Sequence, residues 1–153
     1  VGYQQKPGWC GPAALQQALQ IHGVCLSQTA LAKALGTCDD GTSELGILQA
    51  LPGLGMRAHV LETSRKADAR TWLLRHAPRM PVVLCVDSWE HWVCVAGQCA
   101  DRIWLLDSTR EHWNKAKLGR YALKPKAILK RWKAAYRCRG DGGLYYGIGI
   151  SKV

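Results

Sequence analysis

The feature that most constrains this chain is a change of hydrophobic period near Gly55. Before that point apolar residues recur at helical spacing. After it they alternate with polar ones or form short β-rich runs, which predicts N-terminal helices followed by a sheet, an α+β layout. The first helix is expected from Cys10 to Ile21, where Ala13, Ala14, Leu15, Ala18 and Leu19 share the spacing and Gly23 closes it. Ser27 offers a cap for a second helix ended by Gly36. Thr42 or Ser43 offers one for a third, ended by Pro52 and Gly53.

Beyond Gly55, MRAHVLE alternates as a half-buried strand should, and a helix is expected near Asp68 to His76. PVVLCVD, HWVCVAGQ and DRIWLLD then follow one another across short turns, SWE and the CA before Asp101, and read as an antiparallel meander. KPKAILKRWKAAY places Ile128, Leu129 and Trp132, with Tyr136, on one helical face. Lys126, Lys130, Arg131 and Lys133 fall mostly elsewhere, as in an amphipathic surface helix. RGDGG reads as a loop and LYYGIGISKV as a closing strand whose glycines permit close approach. No internal repeat or linker interrupts the pattern.

At 153 residues one domain spanning 1–153 is expected. Hydrophobic residues make up 48% and charged residues 21%, a globular balance that excludes disorder and collagen-like architecture. The longest apolar runs, such as Pro81 to Val86, fall far below the roughly 18 residues that cross a bilayer, so no membrane helix is expected. The charge is lopsided. Residues 110–139 hold eleven basic side chains and one acidic one, Glu111, while the remainder holds ten of each. The whole surplus lies in one stretch, the footprint of a local anionic partner.

Seven cysteines cannot all pair within one chain, and their spacings contain no CxxC. Neither a disulfide scaffold nor a metal or cofactor site is expected. Cys85 and Cys94 lie in apolar runs, where a thiol behaves as a small hydrophobe. Reduced thiols point to a cytoplasmic setting. The chain opens on Val with no leader pattern, which suggests an excised domain or a processed product.

One cysteine is placed differently. Cys10 follows a Pro-Gly turn and opens the first predicted helix, where orphan N–H groups and the positive end of the helix dipole stabilise a thiolate, the nucleophilic form. Gly11 and Pro12 suit a first helical turn. A nucleophilic thiol needs a base, and His91, at the start of a strand, can reach across a cleft to a helix N-terminus. His22, His59, His76 and His112 have no such route and read as surface or packing residues. An acceptor behind the imidazole fixes its tautomer. Asp107 closes the strand expected to pair with that of His91, and its competing role is to cap the STRE turn; Asp87 and Asp101 fall at hairpin ends. An oxyanion is best met by the cysteine N–H and a side-chain amide, for which Gln4 and its neighbour Gln5 both qualify.

Gln4, CGPAAL from Cys10, His91 opening an apolar strand and Asp107 closing the next together resemble the C39 and C39-like group of papain-like cysteine peptidases, over nearly the whole chain. ILKRW followed by GGLYYGIGIS resembles that family's last helix and strand. The family's glutamine sits six residues before its cysteine, which implies Gln4. The resemblance implies a papain-like fold, with helices on one side, a twisted antiparallel sheet on the other and the site in the cleft between. It also implies a Cys10, His91, Asp107 triad that cleaves a peptide bond through an acyl-thioester. Members of the bacteriocin-exporter branch are cytosolic domains that remove leader peptides after Gly-Gly. This chain departs from them in lacking exporter membrane segments, in Trp9, and in Asp107-Ser108 where Asp-Pro is frequent.

The leading expectation is therefore peptide hydrolysis on a peptide or protein substrate, an acidic leader among the candidates. Two alternatives stand beside it. The same thioester can be resolved by an amine, giving an acyltransferase, or the basic 110–139 stretch can make the chain a non-catalytic module for nucleic acid or another anionic partner.

Overall fold

The computed structural model describes residues 2–87, 91–109, 116–132 and 145–153. The first third folds as its pattern predicts, into α1 (Cys10–Ile21), α2 (Gln28–Leu35) and α3 (Glu44–Ala50), with a 3-10 turn at Pro52–Leu54. Caps set the boundaries. Ser27 Oγ accepts the Ala30 N–H, and Gly36 ends α2 in the left-handed region at φ 64°, where a side chain would be strained. Ser43, rather than Thr42, caps α3 by accepting the Gly46 N–H.

The remainder supplies β1 (Met56–Thr63), α4 (Lys66–His76), β2 (Val82–Val86), β3 (His91–Cys99), β4 (Arg102–Leu106), β5 (Arg120–Leu123), α5 (Pro125–Trp132) and β6 (Tyr145–Lys152). The strands form one antiparallel sheet in the order β1-β6-β2-β3-β4-β5. The expected meander is β2-β3-β4. Two features go beyond the sequence reading: β5 extends the meander by one strand, and β6, last in sequence, lies inside the sheet between β1 and β2. Gly147 and Gly149 make that inner place possible, because a Cβ at Gly147 would crowd Leu84, Trp72 and Trp132, and one at Gly149 would crowd Met80.

Alternation along β2 divides the core. Val83 and Cys85 pack with Leu15, Leu19, Leu31 and Ile47 from the N-terminal helices. Val82, Leu84 and Val86 pack with Leu73, Ile128, Leu129 and Trp132 from α4 and α5 on the other face. The apolar stripe predicted for the basic helix is thus buried, while Lys126 and Lys130 remain exposed. Several expectations fall outside the described residues: the SWE turn, His112, Cys138, the helix beyond Trp132 with Lys133 and Tyr136, the RGDGG loop, and the parts of the basic stretch outside 116–132. Among the described residues no helix is long and apolar enough to cross a membrane.

Candidate active site

Cys10 is the first residue of α1, and the preceding Trp9 gives the helix no side-chain cap. The helix start is open to an anion, as its sequence position implies. Gly11 has a steric reason to be glycine, since a Cβ there would collide with the Thr42 side chain. Thr42 is held in turn: its Oγ1 lies 2.7 Å from Thr37 Oγ1, and its carbonyl accepts the Trp92 indole N–H at 3.0 Å. The loop before α3 therefore forms a fixed wall beside Cys10. A hollow of about 260 Å³ there is lined by Cys38, Asp40, Thr42, Glu44, Cys85 and Trp92.

His91 opens β3 next to Trp92, and α1 packs against that strand, which brings the sulfur and the ring together. β3 pairs with β4 so that Cys94 faces Leu106, which sets the residue after β4, Asp107, beside the beginning of β3. His91 Nε2 donates to Asp107 Oδ1 at 2.8 Å. Cys10 lies near enough to His91 to act on its ionisation, and with Nε2 committed to the carboxylate the nitrogen left to face the sulfur is Nδ1. Cys10 is only 7% exposed, His91 8% and Asp107 0%. The interaction is thus largely shielded from water.

Beside its bond to His91, Asp107 Oδ1 also accepts the Thr109 N–H at 2.9 Å and so caps its own turn. Its second oxygen, Oδ2, accepts Arg131 Nη2 at 2.7 Å. Burial pulls this carboxyl towards neutrality, but His91, the Thr109 amide and Arg131 outweigh it and hold its pKa well below the usual carboxylate range. Burial likewise opposes charge on His91. Hydrogen bonds and charge from Asp107 and Cys10 outweigh it and raise the pKa to about 9, so the ring is an imidazolium at neutral pH.

Gln4, not Gln5, faces this group. The Gln4 N–H donates to Ser108 O at 3.0 Å, and Gln4 Oε1 accepts the Ser108 hydroxyl at 3.3 Å, with Thr109 Oγ1 at 3.5 Å. Thr109 Oγ1 also lies 3.0 Å from His91 Nε2. The three residues 107–109 thereby join carboxylate, imidazole and glutamine in one turn. The Gln5 N–H is bound elsewhere, to Gln28.

Arg131, Ser108, Thr109 and Gln28 were not foreseen as site residues. The helical pattern sets Arg131 with the solvent-facing cations, yet its guanidinium bridges Asp107 and Asp87, donating to Asp87 from Nη2 at 3.0 Å and from Nε at 3.1 Å. Its spacing of three from Ile128 sets it beside the apolar stripe, and that was the available signal. Asp87, at the end of β2, serves this bridge and also donates its N–H to Arg131 O. A second hollow of about 490 Å³ adjoins the bridge, lined by Leu105, Tyr121 and Leu123 with the three charged residues. Neither Cys10 nor His91 lines it.

The other described histidines pack as expected. His22 meets Ile150 O, His59 meets Ser151 Oγ, and His76 meets Trp72 O. The six described cysteines are free thiols; burial pushes the Cys85 thiol up, and that of Cys94 to about 12, as befits packing residues. Among the described residues no group of His, Cys, Asp and Glu side chains could hold a metal ion.

Comparison with known proteins supplies the family. The model of the peptidase C39 family matches residues 1–134. The chain belongs to the peptidase C39 family. Within it, the lactococcin-G-processing and transport ATP-binding protein LagD of Lactococcus lactis subsp. lactis is 31% identical over 111 residues, 71% of this chain but only 15% of LagD. The chain therefore corresponds to a small part of that relative's length. The peptidase domain of Streptococcus ComA superposes with a TM-score of 0.73 at 16% identity, over 99% of this chain and 97% of that one. A double glycine motif protease from an AMS/PCAT transporter, solved with its leader peptide, gives 0.73 at 14% identity, over 100% and 91%. These likenesses establish the papain-like α+β fold of this member of the peptidase C39 family.

Proposed function

We propose that this C39 chain is a cysteine peptidase, one domain over 1–153, in which Cys10 is the nucleophile, His91 the acid-base group, Asp107 its orienting carboxylate and Gln4 an oxyanion donor. The observation that carries the reading is the His91–Asp107 hydrogen bond of 2.8 Å, with Cys10, at the start of α1, near enough to His91 to raise its pKa. The Cys10 sulfur adds to the carbonyl carbon of the scissile peptide, and the electron pair moves to oxygen, where the Cys10 N–H and Gln4 Nε2 meet it. Collapse breaks the C–N bond while His91 gives its proton to the leaving amine. A water then loses a proton to His91, attacks the thioester and breaks the C–S bond, returning the free enzyme.

The His91 pKa of about 9 suits the first half of this cycle, because the ring is charged and ready to donate at neutral pH. Asp107 remains ionised throughout and holds the Nε2 proton, leaving Nδ1 to face the sulfur. The likeness to LagD and to the double glycine motif protease supports a leader peptide cut after Gly-Gly as the substrate. The surplus charge of 110–139 supports recruitment of an acidic leader, with the exposed Lys126 and Lys130 taking part. Unchanged processing after charge reversal at Lys126, Lys130 and Lys133 would remove the recruitment claim.

The central test is Cys10→Ala on a leader peptide ending in Gly-Gly, beside iodoacetamide treatment of the native protein. Loss of cleavage in both is expected, and cleavage by Cys10→Ala would overturn the assignment. Mass analysis of products with and without added amines separates hydrolysis from acyl transfer.

A further inference from the structure

Gln28 is the first residue of α2, and it is 2% exposed although Thr29 and Lys33 of the same helix face solvent. A buried amide is unfavourable unless its hydrogen bonds are made, and this one makes them. Its Oε1 accepts the Gln5 N–H at 2.9 Å; its Nε2 donates to Tyr3 O at 3.1 Å and to Gln16 Oε1 at 3.3 Å. Gln16 is anchored in turn, donating to Leu26 O at 2.9 Å. The orientation of the Gln28 amide follows from its partners, because a backbone N–H can only donate and a carbonyl can only accept.

The two backbone groups that Gln28 holds belong to the residues on either side of Gln4. In extended chain these groups point to one side and the N–H of the residue between them to the other. The Gln4 N–H indeed runs the opposite way, to Ser108 O. Gln4 is thus gripped between α2 and the turn that follows Asp107. Apolar burial cannot do this work here, since Tyr3, Gln5, Lys6 and Pro7 are all exposed.

We propose that Gln28 is a positioning residue for Gln4: by clamping the peptide groups on both sides of it, Gln28 fixes where the Gln4 amide meets the oxyanion. The inference rests on the reading of Cys10 and Gln4 given above. The side-chain bonds of Gln28 run to Gln5, Tyr3 and Gln16, so acting through Gln4 its contribution appears only in steps that build charge on the carbonyl oxygen.

That restriction supplies the test. Alkylation of Cys10 by iodoacetamide makes no oxyanion, whereas peptide cleavage does. Gln28→Met, close in size but without the hydrogen bonds, is expected to lower kcat by about 10–100-fold with KM within about threefold, as for a displaced oxyanion donor. The Cys10 alkylation rate should stay within about twofold of wild type, and Gln4→Ala combined with Gln28→Met should be no worse than Gln4→Ala alone.

Wild-type kcat in Gln28→Met, wild-type kcat in Gln4→Ala, losses that multiply in the double variant, or alkylation falling in step with cleavage would each overturn the proposal. Should Gln28→Met fail to fold, the isosteric Gln28→Glu decides by the same criteria. It keeps an acceptor for the Gln5 N–H but sets an acceptor against Tyr3 O. Failure of the underlying reading looks different, since Cys10→Ala would then still cleave.

Discussion

Arg131 Nη2 meets Asp107 Oδ2 at 2.7 Å, on the carboxylate oxygen that His91 leaves free. The guanidinium is fixed by Asp87 through Nε and Nη2, so it acts as a brace and not as a mobile surface cation. Arg131→Met would take a charged partner from a fully buried carboxylate, and the Asp107 pKa would rise. Because the arginine is partly exposed, the stability loss should be about 2 kcal/mol, below that of a fully buried pair, with kcat down by about tenfold. Arg131→Lys should fall between, as an ammonium cannot span both carboxylates. Urea unfolding and initial rates check both, and a neutral Arg131→Met would show the brace to be idle.

The His91–Asp107 pair also sets a pH dependence of stability. The His91 pKa is raised from 6.5 to about 9, so its contribution is complete below 6.5 and disappears as pH climbs through about 9. The Asp107 pKa is depressed, so its contribution is present above the ordinary 3.8 and is lost only as pH falls far below that. The pair therefore stabilises most between those two ordinary values. Relative to His91→Gln, the wild-type protein should lose about 3 kcal/mol between roughly pH 6 and pH 10. Equal slopes in the two proteins would contradict the coupling.

The helices and most strands were legible because their signals are local. Ser27, Gly36 and Ser43 mark helix ends by backbone chemistry, and the alternation of MRAHVLE needs no tertiary context. β5 was not, since RYAL has four residues, none fully buried, and becomes a strand only by pairing with β4. The inner place of β6 is a long-range fact, although burial of all six residues from Tyr145 to Ile150 fits a strand covered on both faces. The places of Cys10, His91 and Asp107 at element ends, from which they can converge, were legible too. Arg131, Thr109 and Gln28 were not, because ordinary polar residues gain a role only from where distant partners fall.

Ser108 occupies the position where relatives often carry proline, and it makes two contacts to Gln4, the proposed oxyanion donor. The backbone contact would survive Ser108→Ala; the hydroxyl contact to Gln4 Oε1 would not. One neutral hydrogen bond is worth about 1 kcal/mol, so kcat should fall by about fivefold with iodoacetamide reactivity unchanged. Combining it with Gln4→Ala should add nothing, because the lost contact acts only through that amide. A further drop in the double variant would assign Ser108 some other task.

Gly11→Ala sets intrinsic preference against packing. Inside a helix, alanine is favoured over glycine by about 1 kcal/mol, so propensity alone predicts stabilisation. The structure predicts the reverse, because the new Cβ would run into the Thr42 Oγ1 and Cβ. Thr42 cannot step aside cheaply, as movement would strain its hydrogen bond with Thr37 and its carbonyl bond from Trp92. Overpacking of this kind costs about 1–3 kcal/mol, and it would push the wall away from Cys10 and lower kcat/KM. Since the clash includes the Thr42 Cβ, Thr42→Ala should not relieve it, whereas Thr42→Gly should. The Gly11→Ala/Thr42→Gly double variant should be more stable than the sum of its singles, read from urea midpoints. Strict additivity, or a stabilised Gly11→Ala, would mean that Thr42 is not what forbids a side chain next to the sulfur.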